Sequence, residues 1–207
     1  MDEVSGVTAV TLYLPACVGP ATYKLEDFYT AVPGEPYPVE AIDLRYLDTR
    51  HLRQVVPFSS SYAPGTIVID LDEKFLYLVQ HGRKALRYGV GVGIGEFQYV
   101  GTVTVARKAK WPTWTPTSDM LKREPRRYSK WASGMPAGPM NPLGARALYL
   151  YKDGKDTLLR IHGTTEPWSI GKESSSGCVR MINQDVIDLY ERVEEGTQVV
   201  FVDRLAP

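Results

Sequence analysis

Residues 66–79 read TIVIDLDEKFLYLV, and this stretch decides which class of fold the chain adopts. Residues 66–70 form a β-branched run, and residues 72–74 (DEK) have the composition of a turn. Residues 75–79 (FLYLV) then carry the aromatic and branched side chains of a second strand. Short apolar runs separated by a polar turn are typical of a β-hairpin. The stretch therefore predicts two antiparallel strands.

The same pattern of short strands and turns continues along the chain. We predict further strands at residues 85–92, 101–105, 147–152, 157–162 and 198–202. Turn residues such as Gly82 and the pair Asp153-Gly154 separate them. Strands do not alternate regularly with helices, as a parallel α/β sheet would require. The sequence predicts a mostly β protein, a largely antiparallel sandwich or barrel.

One amphipathic helix is expected near the C-terminal end of the chain. Its apolar positions recur at three- and four-residue spacing: Val186, Leu189, Tyr190 and Val193. Asn183 is predicted to cap the N-terminus of this helix, and Gly196 to end it. Cys178 lies just before that N-terminus, where the helix dipole would favour a thiolate.

Two segments differ in composition from the predicted strands and helix. Residues 1–61 contain a turn-rich connector at residues 33–38 (PGEPYP) and are predicted to be an N-terminal extension that packs on or leads into a main domain of residues 62–205. Residues 111–144 contain many prolines, three tryptophans and a basic patch. A loop of this length in a compact domain is usually functional. We interpret this long irregular segment as a flap over the substrate rather than a structural wrap.

Composition excludes several classes of function. The 24 Lys and Arg residues equal the 24 Asp and Glu residues, so net charge gives no sign of a nucleic-acid partner. The three histidines and two cysteines lack the spacing of zinc ligands, and no metal site is predicted. The glycine-rich run at residues 89–95 (GVGVGIG) lacks the spacing of a dinucleotide-binding fingerprint.

The N-terminus leaves two alternatives open. Residues 14–17 (LPAC) resemble the lipobox of bacterial lipoproteins, in which Cys17 would carry the membrane anchor. Residues 1–3 (MDE) are acidic, however, whereas export signals begin with a positive region. An ordinary N-terminal segment is the other interpretation. A disulfide between Cys17 and Cys178 is disfavoured because it would consume the candidate nucleophile.

Residues 161–164 (IHGT) and 174–181 (SSSGCVRM) hold the groups that thiol acyl transfer requires. Cys178 is the candidate nucleophile, and His162, at the end of a predicted strand, is the candidate base. The backbone amides around Gly177 and Cys178 are candidates for an oxyanion hole. Arg180 has a forked guanidinium that suits a substrate carboxylate.

These residues resemble a known family. Residues 161–188, IHGTTEPWSIGKESSSGCVRMINQDVID, resemble the catalytic motif of the L,D-transpeptidases, the YkuD-like family, and the segment at residues 111–116 is similar to its periplasmic proteobacterial members. The pattern is His-Gly-Thr, a loop, then Ser-x-Gly-Cys-Val-Arg followed by an Asn and an Asp. The resemblance extends upstream through residues 64–70, 76–77 and 141–144.

The resemblance implies a YkuD-like sandwich or barrel and a role for each site residue. Cys178 would be the nucleophile and His162 its base, with the backbone carbonyl of Gly163 orienting the imidazole. The donor would be contacted by the remaining residues of the motif: Arg180, Gly177, Ser176 and Thr164. Ser176 stands where many members carry a histidine.

The resemblance also implies a reaction on peptidoglycan in the periplasm, without a cofactor. Cys178 would attack a tetrapeptide stem between diaminopimelate and its terminal D-alanine, release D-alanine and form a thioester. An amine of another stem, giving a 3→3 cross-link, or of an envelope protein would then accept the acyl group. Carbapenem-type inhibitors are expected to acylate the cysteine. Two alternatives remain: an L,D-carboxypeptidase with water as acceptor, and a non-catalytic wall-binding module.

Overall fold

The computed structural model describes residues 10–11 and 22–205. Residues 14–17, with the lipobox-like pattern and Cys17, lie outside the described residues. Among the described residues, none belongs to a helix that is both long and apolar enough to cross a membrane.

Strands dominate the described part of the chain, and the predicted mostly β fold class is confirmed. In chain order the strands are β1 Val10–Thr11, β2 Thr22–Tyr23, β3 Gln54–Pro57, β4 Ile67–Asp70, β5 Phe75–Gln80, β6 Lys84–Gly89, β7 Val92–Gly93, β8 Gly101–Lys110, β9 Arg146–Lys152, β10 Lys155–His162, β11 Glu173–Ser175, β12 Val179–Arg180 and β13 Gln198–Val202. The α-helices are α1 Ser118–Arg123, α2 Pro125–Tyr128 and α3 Asn183–Arg192. Short 3-10 helices occur at Leu25–Tyr29, Leu44–Tyr46, Thr49–His51, Gly95–Phe97, Ser129–Trp131 and Pro167–Ser169.

One nine-stranded sheet forms the body of the protein, in the order β12-β10-β9-β8-β13-β4-β5-β6-β3. The predicted hairpin is β4 with β5, in which Ile67 pairs with Leu78 and Asp70 with Phe75. Neighbouring strands are antiparallel except for two parallel pairs, β13 with β4 and β12 with β10. The small sheets β1-β2 and β7-β11 lie outside this order.

The main apolar core joins α3 to strands from across the large sheet. Ile67 and Ile69 of β4 and Val186 and Leu189 of α3 are completely buried within it. All four residues of β4 are buried, which explains why its first three residues, 67–69, are a continuous apolar run rather than an alternating one. Burial of this apolar surface is the main force that holds α3 on the sheet.

The predicted cap of α3 is wrong. Ile182 occupies the N-cap position and Asn183 is the first residue of the helix. The Asn183 side chain instead accepts a hydrogen bond from the Ala145 backbone N–H at 3.0 Å and donates one to the Thr164 carbonyl at 3.2 Å. The Asn183 side-chain amide therefore bonds to backbone groups that are distant in sequence rather than to the first turn of α3.

The segment at residues 111–144 is not uniformly irregular, because it contains α1, α2 and the turn Ser129–Trp131. Their start signals are present in the sequence. Thr117 caps α1 by accepting a hydrogen bond from the Met120 backbone N–H, and Pro125 occupies the first position of α2.

The described part of the N-terminal extension packs on the main domain. Its last residues form β3, which pairs with β6 at the edge of the large sheet. Tyr29 and Leu52 are buried in a second apolar cluster that also contains Ile170, between β10 and β11, and Ile182, at the N-cap of α3.

A buried polar network joins this extension to α3. Arg53 Nη1 lies 2.8 Å from Asp188 Oδ1, and Arg53 Nε lies 3.7 Å from Asp185 Oδ1. The Tyr29 hydroxyl donates to Asp185 Oδ2 at 3.2 Å and accepts from the Arg53 backbone N–H at 2.6 Å. Burial raises the pKa of Asp185 to about 7, although the Arg53 charge opposes this shift.

A second polar contact joins the extension to the first residue of the flap segment. The Glu35 carboxylate accepts hydrogen bonds from Trp111 Nε1 at 2.6 Å and from Arg146 Nη1 at 2.9 Å. The Tyr37 ring lies 4.9 Å from the Trp111 ring. The hydrogen bond from Arg146 is the main reason that the pKa of Glu35 is lowered. The extension therefore fixes the point where the flap leaves β8.

The buried carboxyl group predicts how stability depends on pH. The folded pKa of Asp185 is raised, so its stabilising contribution is present below the unfolded value of 3.8 and is lost as pH rises through about 7. Asp185→Asn keeps an acceptor for Tyr29 but does not titrate. Between pH 5 and pH 8, we expect the wild-type free energy of unfolding to fall by roughly 2 kcal/mol relative to the variant. Denaturant unfolding of both proteins at each pH measures this, and a pH-independent difference would contradict it.

Candidate active site

The parallel pairing of β10 with β12 brings the two halves of the sequence motif together. Ile161 pairs with Val179 and His162 with Arg180. Ile161 and Val179 are buried in the main core. Side chains alternate along a strand, so His162 and Arg180 lie on the opposite face. Cys178 directly precedes Val179, the first residue of β12, and its Sγ contacts the backbone of β10 at Leu158.

His162 is held in one tautomer. Its Nδ1–H donates to the Gly163 carbonyl at 2.6 Å. A carbonyl can only accept, so the proton is on Nδ1 and Nε2 keeps its lone pair. Burial lowers the pKa of His162 to about 4, even though the Gly163 carbonyl acts in the opposite direction. At neutral pH the ring is therefore uncharged and able to accept a proton.

Asn183 fixes the carbonyl that orients this ring. A Cβ atom added at Gly163 would collide with Asn183 Oδ1, and one added at Gly144 would collide with the same atom. Gly144 also has a φ of +62°, which favours glycine. The amide packs between these two glycines and bonds to the backbone of Ala145 and Thr164. Sequence reasoning assigned Asn183 to helix capping and missed this positioning role.

Cys178 is a free, half-buried cysteine beside the backbone of β10. Its Sγ–H donates to the Leu158 carbonyl at 3.7 Å. Leu158 has a φ of +63° and lies where the pairing of β10 with β9 shifts register. This bulge interrupts the regular alternation along β10 and turns a carbonyl toward the thiol.

The predicted dipole-stabilised thiolate is not found. Burial raises the pKa of the Cys178 thiol, although the Arg160 backbone N–H and the Arg160 and Arg180 charges lower it. The helix α3 begins only at Asn183, and β12 stands between it and the cysteine. Cys178 and His162 are thus both neutral near pH 7, and the arrangement suits proton transfer during attack rather than a preformed ion pair.

The loop before Cys178 is held by Ser175, which sequence reasoning did not single out. The Ser175 hydroxyl donates to the Cys178 carbonyl at 2.5 Å and accepts from the Gly177 backbone N–H at 3.2 Å. The Gly177 amide is therefore already engaged, and the Cys178 amide is the remaining candidate for an oxyanion donor. Gly177 has a φ of +108°, and an added Cβ would lie 3.0 Å from the Phe97 carbonyl. Ser176 is exposed.

Thr164 and Arg180 both contact Glu166. The Thr164 side chain is buried, and its hydroxyl accepts a hydrogen bond from the Glu166 backbone N–H at 3.0 Å. Arg180 Nη1 donates to Glu166 Oε2 at 2.7 Å. Thr164 thus shapes the loop between His162 and Cys178 in this structure. In the sequence, Glu166 is one of two acidic residues between His162 and Cys178, and no local pattern separates it from Glu173.

The flap segment borders this loop. The Arg123 guanidinium of α1 lies 5.4 Å from the ring centre of Phe97, whose carbonyl lies against Gly177. A cavity of about 310 Å³ is lined by Phe97 and by the α1 residues Asp119, Lys122 and Arg123. The helix α1 therefore lies next to the loop that carries Cys178.

Comparison with known proteins places the chain in a family. Residues 64–201 match the family model of the YkuD L,D-transpeptidase catalytic domain. The chain belongs to this family. The match begins at the hairpin β4-β5 and includes the whole segment from His162 to Arg180.

Curated relatives support the same family. The probable L,D-transpeptidase YbiS of Escherichia coli K12 is 38% identical over 140 residues, which cover 66% of this chain and 44% of that protein. The probable L,D-transpeptidase ErfK/SrfK of the same strain is 33% identical over 141 residues, covering 67% and 44%. The chain therefore matches less than half the length of these relatives.

A solved structure with higher sequence identity has a different description. The crystal structure from Brucella melitensis, described as a probable carnitine operon oxidoreductase caia, is 48% identical with a TM-score of 0.53. The alignment covers 77% of this chain and 99% of that chain. The two chains share fold and sequence, while the description belongs to the Brucella protein alone.

The neutral state of Cys178 predicts the pH dependence of thiol alkylation. Because its pKa is raised, the rate of reaction with iodoacetamide is expected to rise continuously from pH 6 to pH 9. A thiolate–imidazolium pair would instead give a plateau across this range. Intact-mass kinetics measure the rate, and Cys178→Ser corrects for alkylation of Cys17. A pH-independent rate below pH 8 would contradict the neutral pair.

The packing around Gly163 predicts the effect of one methyl group. Gly163→Ala should push Asn183 away and lower the free energy of unfolding by about 1–3 kcal/mol, as overpacking usually does. If Asn183 is the obstacle, the same substitution should be less harmful in an Asn183→Ala background. Thermal unfolding of the single variants and the double variant tests this, and equal losses in both backgrounds would contradict the packing argument.

Proposed function

We propose that the protein is a peptidoglycan L,D-transpeptidase in which Cys178 is the nucleophile and His162 the general base. The observation that carries the proposal is the 2.6 Å contact between His162 Nδ1 and the Gly163 carbonyl, on the strand that pairs with β12. This contact leaves Nε2 with a lone pair for the thiol proton, and the pairing of β10 with β12 brings Cys178, which directly precedes β12, beside the strand that ends at His162. Membership in the YkuD family supports the type of reaction.

The first half-reaction forms a thioester. Cys178 Sγ attacks the carbonyl carbon between diaminopimelate and terminal D-alanine, while the thiol proton passes to His162 Nε2. The carbonyl oxygen becomes an oxyanion, for which the Cys178 backbone amide is the proposed donor. Collapse breaks the carbon–nitrogen bond, and D-alanine leaves with the proton from His162. Because thiol and imidazole start uncharged, the proton moves during the attack.

The second half-reaction transfers the acyl group to an amine. His162 Nε2 takes a proton from the acceptor amine, which attacks the thioester carbonyl. The carbon–sulfur bond then breaks, and the thiolate of Cys178 recovers its proton from His162. A stem amine gives a 3→3 cross-link, and an envelope-protein amine attaches that protein to the wall. Water in the same position would give the alternative activity, an L,D-carboxypeptidase.

The proposed substrate also indicates the compartment in which the protein would act. Peptidoglycan stems lie outside the cytoplasmic membrane, so the protein would act in the periplasm. Anchoring through Cys17 stays a prediction from the sequence.

Incubation with a disaccharide-tetrapeptide tests the reaction and its acceptor. Mass spectrometry should detect a cross-linked dimer that has lost one D-alanine. Cys178→Ala should abolish D-alanine release, and His162→Gln should slow it by roughly 10²–10⁴-fold, the usual contribution of a general base. The tripeptide alone would indicate hydrolysis and replace the proposed acceptor by water.

Acylation by a carbapenem gives an independent measurement of the nucleophile. Intact mass should show one adduct on the wild-type protein and none on Cys178→Ala. Full turnover of the stem by the alanine variant, or an unmodified wild-type protein in excess carbapenem, would contradict the proposed mechanism.

A further inference from the structure

The ion pair between Arg180 and Glu166 is open to solvent beside the proposed nucleophile. Arg180 Nη1 lies 2.7 Å from Glu166 Oε2, and the two side chains are 23% and 45% exposed. A guanidinium has five N–H donors and a carboxylate has two acceptor oxygens. One contact between them leaves most of this capacity for a ligand that carries both charges.

The backbones of Glu166 and Arg180 are both fixed by hydrogen bonds. The Glu166 N–H donates to the Thr164 hydroxyl, and its carbonyl accepts from the Ser169 N–H at 2.9 Å and from the Ser169 hydroxyl at 2.7 Å. The Arg180 N–H and carbonyl are bonded to the backbone of Gly91 at 2.8 and 2.9 Å. The pair is thus preorganised, and only the tips of the side chains need to adjust to a ligand.

The flap adds a further positive charge to this corner. The hydrogen bond to Glu124 is the main reason that the pKa of Arg127 is raised, and the Glu166 charge contributes to the same shift. The helix α2 therefore lies within electrostatic range of Glu166.

The position of the pair matches one part of the proposed donor. Arg180 is two residues from Cys178, so their Cα atoms are at most about 7 Å apart. Diaminopimelate carries an ammonium and a carboxylate together on its D-centre, separated from the reacting carbonyl by a short aliphatic chain of comparable length. An arginine and a glutamate in contact complement such a zwitterionic group.

We propose that Glu166 is a specificity-determining residue that binds the side-chain ammonium of diaminopimelate while Arg180 binds the neighbouring carboxylate. This inference rests on the proposed function and deepens it, because it assigns the part of the donor that distinguishes diaminopimelate from other stem residues. Glu166 touches substrate through its carboxylate and takes no part in the proton transfers.

Donor analogues that each lack one charge test the assignment. The donors are the diaminopimelate tetrapeptide, the same stem with its side-chain amine acetylated, and a lysine stem that keeps the amine but lacks the carboxylate. D-alanine release is measured in a single turnover with enzyme in excess, because the side-chain amine is also the acceptor of the later step. For the wild type, the second-order rate constant of this release should fall roughly tenfold on acetylation, the loss expected for one charge-assisted hydrogen bond. Glu166→Gln should lose a similar factor with the unmodified and lysine stems and become insensitive to acetylation.

A matched control lies in the same connection between β10 and β12, in strand β11. Glu173 has a side chain with the same 45% exposure and an ion pair of its own, with Lys74. Glu173→Gln should behave as the wild type with all three donors. Thermal unfolding of Glu166→Gln should be unchanged, which excludes misfolding as the cause of a lower rate.

Three results would overturn the assignment. If Glu166→Gln lost the same factor in rate with the acetylated stem as with the unmodified stem, Glu166 would only position Arg180. A higher rate in Glu166→Gln would mean that the glutamate blocks the guanidinium, and an unchanged rate would mean that it does not touch the donor. If the wild type released no D-alanine from any stem, the proposed function would fail as well. If the wild type released D-alanine and Glu166→Gln kept the same selectivity among the three stems, only the role of Glu166 would be overturned.

Discussion

The short parallel pairing of β12 with β10 is the interaction on which the candidate site depends. It has only two registered pairs, Ile161 with Val179 and His162 with Arg180, yet it joins the two halves of the motif. Parallel strands need a crossover connection, and here residues 163–178 provide it, with β11 pairing to β7 on the way. Burial of Val179 and Met181 and the backbone bonds of Arg180 to Gly91 stabilise so short a strand on both sides.

The extension stabilises two elements around this pairing, although it lies outside residues 64–201 that match the family model. Arg53 reaches Asp185 and Asp188 on α3, the helix that follows β12. Glu35 holds Trp111, where the flap begins. Removal of one partner from a buried ion pair leaves an uncompensated charge, which is strongly destabilising. The extension is therefore part of the support of the site rather than a separate attachment.

The sequence predicted what depends on local patterns. The hairpin β4-β5 and the helix α3 follow from strand composition and from helical periodicity, although α3 ends at Arg192, before the predicted stop at Gly196. The parallel pairing of β12 could not be predicted, because a run of two residues has no periodicity. Asn183 was misassigned because an asparagine at the start of a helix can either cap the helix or bond to backbone groups elsewhere. Only the positions of Gly144 and Gly163 in the folded chain decide between these two roles.

Burial, which the local sequence does not encode, also sets the protonation state of the site. It lowers the pKa of His162 and raises the pKa of Cys178, so it opposes charge on both groups. The helix dipole suggested a thiolate, but α3 begins only at Asn183, and burial raises the pKa of the Cys178 thiol. Under the proposed function, such a thiol is a weak nucleophile until an electrophile lies against it and His162 accepts its proton. Selectivity between donors then depends on how well each donor is positioned. Charged groups at the edge of the site, such as Arg180 and Glu166, can therefore influence the rate although they exchange no proton.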